Sequence, residues 1–386
     1  MNPSRSVLTD ADLRALVRGR DDDERARAAH KICRSIDGRP LSQPLTDEER
    51  SAAQAILRMM AADAAESVRR ALAVTLKASS VLPRDVALKL ARDVESVSVP
   101  VLNFSPAFTD EDLADLVRQG TGVRQTAIAY RPELSQTVTA ALAEYGVEEA
   151  LKIACANDNA DFSEAALRKV VDRFPNSDGV KAAVGYRTSL PLAVAERLAQ
   201  LSAGALREHL MRHHGVSEAA AQGLTTDAME HVTVDLAEQA ATAEDVAAFA
   251  AHLGRTGRLN ASLLLRALAQ GNMKFFEHAV SELAGVPHQR TWMMIHDAGP
   301  LGLRAIYERA GLPSRLFPAF RAGVDTFRSV HFEGVPHDRE KFRERMIQRF
   351  LTQHQGASRE DLEYLLERLD AATASPAPPE RRASAA

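Results

Sequence analysis

Apolar residues along this chain recur three and four positions apart, and charged residues fill the places between them. That period belongs to amphipathic helices with one stripe turned inward. Leu13, Leu16 and Val17 form one such stripe, and Leu113, Leu116 and Val117 form another. Both open alike, on Thr9-Asp10-x-Asp12 and on Thr109-Asp110-x-Asp112. A threonine there caps the first turn, while the acids sit at the positive end of the helix dipole. Thr46-x-x-Glu49 predicts a capping box.

From Thr109 to about Gly215 the pattern predicts eight short helices, over 109–119, 122–131, 135–145, 147–157, 163–174, 178–187, 191–200 and 202–214. The segment also repeats. Tyr130-Arg131-x-x-Leu134 returns about 56 residues later as Tyr186-Arg187-x-x-Leu190, and Ala150-Leu151-Lys152 returns as Ala205-Leu206-Arg207. Such a period, made of short helices, marks a stacked helical solenoid. Residues 64–93 predict a further hairpin, with Pro83 opening its second helix, where a missing N–H costs nothing. Residues 9–63 predict three helices with a polar loop at 38–45. Residues 94–102 alternate briefly and contain Pro100, so a helix end and an extended connection are expected there. No segment predicts a sheet.

A second region starts near Val216. Helices are expected over 217–237, 242–254, 260–270, 273–284, 287–296, 301–310 and 313–327, punctuated by Gly271, Gly285, Gly299 and Gly311 as C-terminal caps. Phe342, Met346, Ile347, Phe350 and Leu351 share one later helical face, and Leu362, Leu365, Leu366 and Leu369 another. Residues 373–386 are Pro, Ala, Ser and Arg for the most part, and are expected to be disordered. Aromatics sharpen the division. None precedes Phe104, and eleven of the nineteen fall between Phe275 and Tyr364. The domains expected are therefore a helical cap at 1–63, helical repeats at 64–215, a more globular helical region at 216–372 and the tail.

Charge and chemistry narrow the function. A formal charge of −4 gives little electrostatic case for nucleic acid. No apolar run approaches the roughly 20 residues that span a bilayer, and no signal-peptide pattern opens the chain, so a cytoplasmic location and no membrane partner are expected. Cys33 and Cys155 lie among apolar neighbours and are expected as buried hydrophobes.

At this point the residues resemble a known family. Val99-Pro100-Val101-Leu102-x-x-Ser105-Pro106 leading into Thr109-Asp110-Glu111-Asp112-Leu113 is similar to its hallmark segment, as is Ala127-Ile128-Ala129-x-Arg131-x-x-Leu134. Leu263-Leu264-Leu265-Arg266-Ala267-Leu268-x-x-Gly271 and Leu283-Ala284-Gly285-Val286-Pro287 add to the likeness. The family is the alphaproteobacterial domain of unknown function 2336, and the resemblance spans roughly residues 60–330. It implies a HEAT-like helical fold in bacteria and brings no catalytic residues. The fold class expected is all-α: a HEAT-like helical-hairpin solenoid with a more globular helical C-terminal region.

His209 and His213 lie four apart, with His214 beside them, but Glu208 precedes the first histidine instead of following it, so the metalloprotease pattern is absent. A solvated helix end is the expected reading. His278, His288, His296, His331 and His337 gather in the second region, with Asp297 and Asp338 adjacent in sequence, an arrangement that does not put acid and base on one helix face. No nucleophile elbow, phosphate loop or dinucleotide fingerprint occurs. No enzyme, metal or cofactor is therefore expected. Tyr130, Arg131, Tyr186 and Arg187 are the candidate partner-binding residues. They form either a structural device, with tyrosine packed between hairpins and arginine capping helix carbonyls, or a ladder along one solenoid face suited to a peptide or acidic helix. Asn157, Asp158 and Asn159 are expected as turn residues. Residues 315–349 carry eight Lys/Arg against five Asp/Glu, expected as a solvated face over a hydrophobic seam. Trp292, inside Thr291-Trp292-Met293-Met294-Ile295, is expected in the core. The function expected is a protein-interaction scaffold or adaptor. The alternative is a nucleic-acid-binding or DNA-glycosylase-like helical-repeat protein.

Overall fold

The computed structural model describes residues 10–19, 21–38, 46–240 and 242–329, with scattered positions between Phe342 and Thr352. Among these residues every named element is helical; the sole β feature is a parallel bridge between Leu134 and Ala160. The chain divides into two compact units, Met1–Leu190 and Pro191–Ala386. The expected disordered tail and the 362–369 stripe lie outside the described residues.

The first unit holds α1 (Asp10–Arg18), α2 (Asp22–Asp37), α3 (Asp47–Ala61), α4 (Glu66–Leu76), α5 (Arg84–Ala91) and α6 (Glu95–Phe104). It continues with α7 (Asp110–Gln119), α8 (Gly122–Ala129), α9 (Gln136–Tyr145), α10 (Glu148–Ala156), α11 (Glu164–Arg173) and α12 (Asp178–Gly185). Its helices pack in two rows. In one, α2, α4, α6, α8, α10 and α12 follow each other; in the second, α3 packs on α5, and α7 on α9 on α11. Short connections between the rows make successive helices of one row run the same way. Their C-terminal ends therefore line one edge. Between the rows lie the stripes seen in the sequence, among them Leu72, Val101, Leu116, Val117, Ile128, Leu142, Leu151 and Val170. The capping boxes form at Thr46–Glu49 and Thr109–Asp112; Thr9 lies outside the described residues.

One expectation here is corrected. Residues 95–104 are helix α6, not an extended connection, and Pro100 lies inside it. The brief alternation concealed a helical face: Val97 and Val101 are four apart, as are Ser98 and Leu102, and all four are buried. Packing of α6 between α4 and α8 outweighs the hydrogen bond that proline withholds.

The second unit holds α13 (Leu192–His214), α14 (Glu218–Gln239), α15 (Ala243–Arg255), α16 (Ala261–Ala269), α17 (Met273–Ala284), α18 (His288–His296), α19 (Gly299–Arg309), a 3-10 turn (Ser314–Leu316) and α20 (Phe317–Ser329). The two helices expected at 191–200 and 202–214 are a single helix, α13. Ser202, read as a start, instead donates its hydroxyl to the Leu198 carbonyl at 3.0 Å, and the helix runs through it. The aromatic-rich core gathers Phe249, Phe275, Phe276, Tyr307 and Phe320, and takes in Phe342 and Met346. Phe276 and Phe320 stack at 5.9 Å between ring centroids. Gly285 closes α17 at φ +59°, a left-handed conformation that glycine adopts without penalty.

Trp292 corrects a third expectation: it is 41% exposed. In α18 only Thr291 and Ile295 are buried. An apolar run of this length has no polar side to mark its outer face, so periodicity could not orient it.

Candidate functional site

Helix C-termini leave carbonyls without intrahelical partners. Along the edge where the ends of α6, α8, α10 and α12 meet solvent, arginines one hairpin further on supply them. Arg131 follows the end of α8 and reaches back to the end of α6, donating to the carbonyls of Leu102 at 2.8 Å and Ser105 at 2.9 Å. Arg187 follows the end of α12 and reaches back to the end of α10. It donates to the carbonyls of Cys155 and Asn157 at 3.0 Å each and Ala160 at 2.8 Å. Arg187 also lies 5.3 Å from the Phe162 ring centre. Arg173 repeats the device in the other row, on Ala143 and Gly146 at the end of α9.

Asn157 joins the two arginine loops. Its side-chain nitrogen donates to the carbonyls of Arg131 at 3.1 Å and Pro132 at 3.2 Å. Its own carbonyl receives Arg187. A polar strap thus runs Arg187–Asn157–Arg131–Ser105 through the loops that follow α12, α10, α8 and α6. Asp158 accepts from the Thr188 amide at 3.3 Å, and Asn157 Oδ1 from the Asn159 amide at 3.0 Å; these are turn residues. Burial pulls the Arg131 and Arg173 guanidiniums down from their ordinary value, yet guanidinium keeps its charge in proteins.

The tyrosines do the opposite of what a packing role requires. Tyr130 is 61% and Tyr186 87% exposed. The arginines are thus structural clamps, on the preceding hairpin rather than on their own helix, while the tyrosines are displayed instead of packed between hairpins. Phe104, at the end of α6, is also exposed, with the Lys77 ammonium 4.7 Å from its ring centre. Phe104, Tyr130 and Tyr186 therefore stand at equivalent ends of α6, α8 and α12. Beside Tyr130 a groove of about 830 Å³ opens between loops, lined by Phe108, Asp110, Leu113, Glu133, Leu134 and Val138 around Arg131. Two carboxylates, of Asp110 and Glu133, line it against the one guanidinium of Arg131, which Asp110 partly offsets, so its net charge is weakly negative. Helix C-termini add partial negative charge along the same edge.

The histidines fall into two places. His209, His213 and His214 are exposed at the end of α13, with 4.8 Å between the rings of His209 and His213. Among the described residues no group of three His, Cys, Asp or Glu is placed to hold a metal ion. His278, His288 and His296 do converge, but on Glu277 rather than on Asp297. His296 Nε2 lies 2.6 Å from Glu277 Oε1, His288 Nε2 lies 3.6 Å from Glu277 Oε2, and the His278 and His288 rings stack at 3.8 Å. His331 and His337 lie outside the described residues. Sequence reasoning passed over buried Glu277, as it did Glu196 and Arg266, which are 0% and 1% exposed. The signal was a charge set within an apolar stripe, as in Leu263-Leu264-Leu265-Arg266-Ala267-Leu268. No described helix is long and apolar enough to cross a membrane.

The model of a family described as uncharacterised protein conserved in bacteria (DUF2336) matches residues 97–360. No curated protein and no solved structure matches the chain.

Proposed function

The chain belongs to this bacterial DUF2336 family, and we propose that it is a non-catalytic scaffold or adaptor that holds a protein partner in the bacterial cytoplasm. The site is the edge that carries Phe104, Tyr130 and Tyr186. The observation behind this reading is the contrast within each Tyr-Arg pair. The arginine fixes the loop to the hairpin before it, and the ring beside it is left in solvent at both repeats. Exposed aromatics on fixed backbone are favourable anchors, since little freedom is lost when they are covered.

The charge of the edge sets the chemistry of the partner. Glu133, Asp110 and the helix C-termini favour a segment that brings lysine or arginine together with apolar side chains. Such cations also stack on tyrosine faces. An acidic helix, which the arginines alone suggested, suits this edge less well, because Asp110 and Glu133 outnumber Arg131 in the groove. Nucleic acid suits it least, since phosphate would meet the same acids.

Photo-crosslinking in the native cell tests the proposal. A benzophenone side chain is placed at Tyr130, at Tyr186 and, as a control, at exposed Arg168 on α11 of the other row. The expected result is one protein captured at both tyrosine positions and not at the control, through a peptide rich in Lys or Arg. Capture equal at all three positions, or at neither tyrosine, overturns the proposal.

A further inference from the structure

The second unit holds a cavity of about 420 Å³ where α13, α14 and the start of α16 meet. The sequence pattern did not announce it, and none of its lining residues belongs to the tyrosine edge. Two long helices normally pack apolar stripes against each other. Here α13 turns Arg197, Gln200, Gly204 and Arg207 toward the cavity, and α14 turns Gln222, Thr226, Met229 and Thr233. These residues follow three- and four-residue steps, so a polar face meets a polar face. Arg258 and Asn260 close one end. A side chain added at Gly204 would meet nothing within 4 Å.

Charge in the cavity is lopsided. Three guanidiniums line it, from Arg197, Arg207 and Arg258, against the carboxylate of Glu230 in the wall and that of Glu196 behind Arg258, and Arg197 donates to Gln200 at 3.0 Å. Glu230 is committed elsewhere, since its oxygens accept from Asn260 at 3.2 Å and Ser262 at 2.7 Å, and Arg266 lies 3.6 Å away. Arg258 pairs with buried Glu196 at 2.8 Å. Arg207 donates to the neutral amide of Gln222 at 2.5 Å, and so brings an unneutralised charge to the wall. A guanidinium carries five N–H donors, so Arg207 and Arg258 keep donors for a further acceptor. Polar walls this size need water or a ligand to complete their hydrogen bonds, and the volume falls within the range of small-molecule pockets.

We propose that this cavity binds a small, multiply charged organic oxyanion, with Arg207, Arg197 and Arg258 on its phosphate or carboxylate oxygens and Gln200, Gln222, Thr226 and Asn260 on its polar body. Guanidinium forks match both phosphate and carboxylate geometry. Gly204 leaves the room that the ligand occupies.

Thermal melts and calorimetric titration of the full chain test this, with inorganic pyrophosphate and citrate as probes and potassium chloride at matched ionic strength as control. At least one probe is expected to raise the melting temperature beyond the salt control and to titrate with one site per chain. Tighter binding of pyrophosphate assigns a phosphate ligand; tighter binding of citrate assigns a carboxylate one. Arg207→Gln is expected to weaken binding about tenfold or more, the loss of one charged hydrogen-bonding group. Gly204→Leu fills the cavity and is expected to abolish binding without lowering the melting temperature of the free protein, which separates lost binding from misfolding. No stabilisation beyond salt by either probe, or binding unchanged in Arg207→Gln and Gly204→Leu, overturns the proposal.

Discussion

Replacing Arg187 with Met tests whether the clamps hold the solenoid together. The substitution keeps much of the side chain's length and removes its donors. The carbonyls of Cys155 and Ala160 lose their side-chain donor, while that of Asn157 still accepts from the Ala160 amide at 3.1 Å. Cys155 and Ala160 are 0% and 1% exposed, so water regains access to them poorly. A buried acceptor left unpaired costs about 1–3 kcal/mol. Two such acceptors, after partial relaxation around them, give about 3 kcal/mol. Loss of the contact with Phe162 adds about 0.5 kcal/mol. In a unit of this size each kcal/mol moves the melting temperature by about 2–4 °C, so the first unit's transition is expected to fall by about 7–14 °C in scanning calorimetry. Arg187→Lys is expected to recover only a minor part, because one ammonium cannot fork to three carbonyls. Tyr186→Ala, at an exposed position, is the control and is expected to stay within about 0.5 kcal/mol of the parent. An Arg187→Met protein that melts within about 1 °C of the parent refutes the clamp.

Other perturbations follow from the same structure. Burial first, and then the Arg266 and His288 charges respectively, hold His231 and His278 below the 6.5 of free imidazole. The unfolded chain therefore takes up these protons more readily, so their contribution is complete above pH 6.5 and is lost as pH falls through the folded values. Melting temperature is expected to drop between pH 7 and pH 5, less steeply in a His231→Gln/His278→Gln variant; an unchanged slope in that variant counts against it. Burial pushes the Cys33 and Cys155 thiols up to about 12, so maleimide is expected to label neither in the native protein and both in urea, and native labelling at a comparable rate contradicts this. Gly323→Ala should improve helix propensity by about 1 kcal/mol, yet its Cβ would sit 2.5 Å from Leu268 Cδ2. Overpacking of about 1–3 kcal/mol is expected to win, giving a lower melting temperature, whereas a rise would show that α16 and α20 separate easily.

Most of the first unit was legible because its helices carry their own signals. Thr109 and Asp112 form their capping box from local sequence alone, and Leu113, Leu116 and Val117 are buried as their spacing requires. The failures arose where a tertiary contact outweighed a local signal. Pro100 and the Val-Ser alternation argued against helix, but a face shared with α4 and α8 was decisive. A helix was expected to start at Ser202, which instead bonds backward into α13. The Tyr-Arg repeat was visible as a repeat, but which member is structural depends on what lies one hairpin away. A sequence shows Arg131 beside Tyr130; it does not show Leu102 and Ser105 waiting for that guanidinium. The polar faces of α13 and α14 stayed hidden for a related reason. Alanine flanks them, so neither helix has the strong contrast that marks an inner face.

The clamp and the display explain each other. An aromatic ring at a loop tip makes a useful anchor only if the loop is already ordered, because ordering it on contact takes back part of the binding energy. Arg131 and Arg187 order those loops from the hairpin before, and Asn157 couples the two. Binding at Tyr130 and Tyr186 should then depend on residues that touch no partner. Arg131→Lys and Tyr130→Ala are expected to weaken partner binding by different routes. The first loosens the loop, raising its amide hydrogen exchange. The second leaves exchange unchanged and removes the contact. Equal protection of the 130–135 loop in both variants, with affinity lost in both, would place Arg131 in the interface itself and break the link between strap and display.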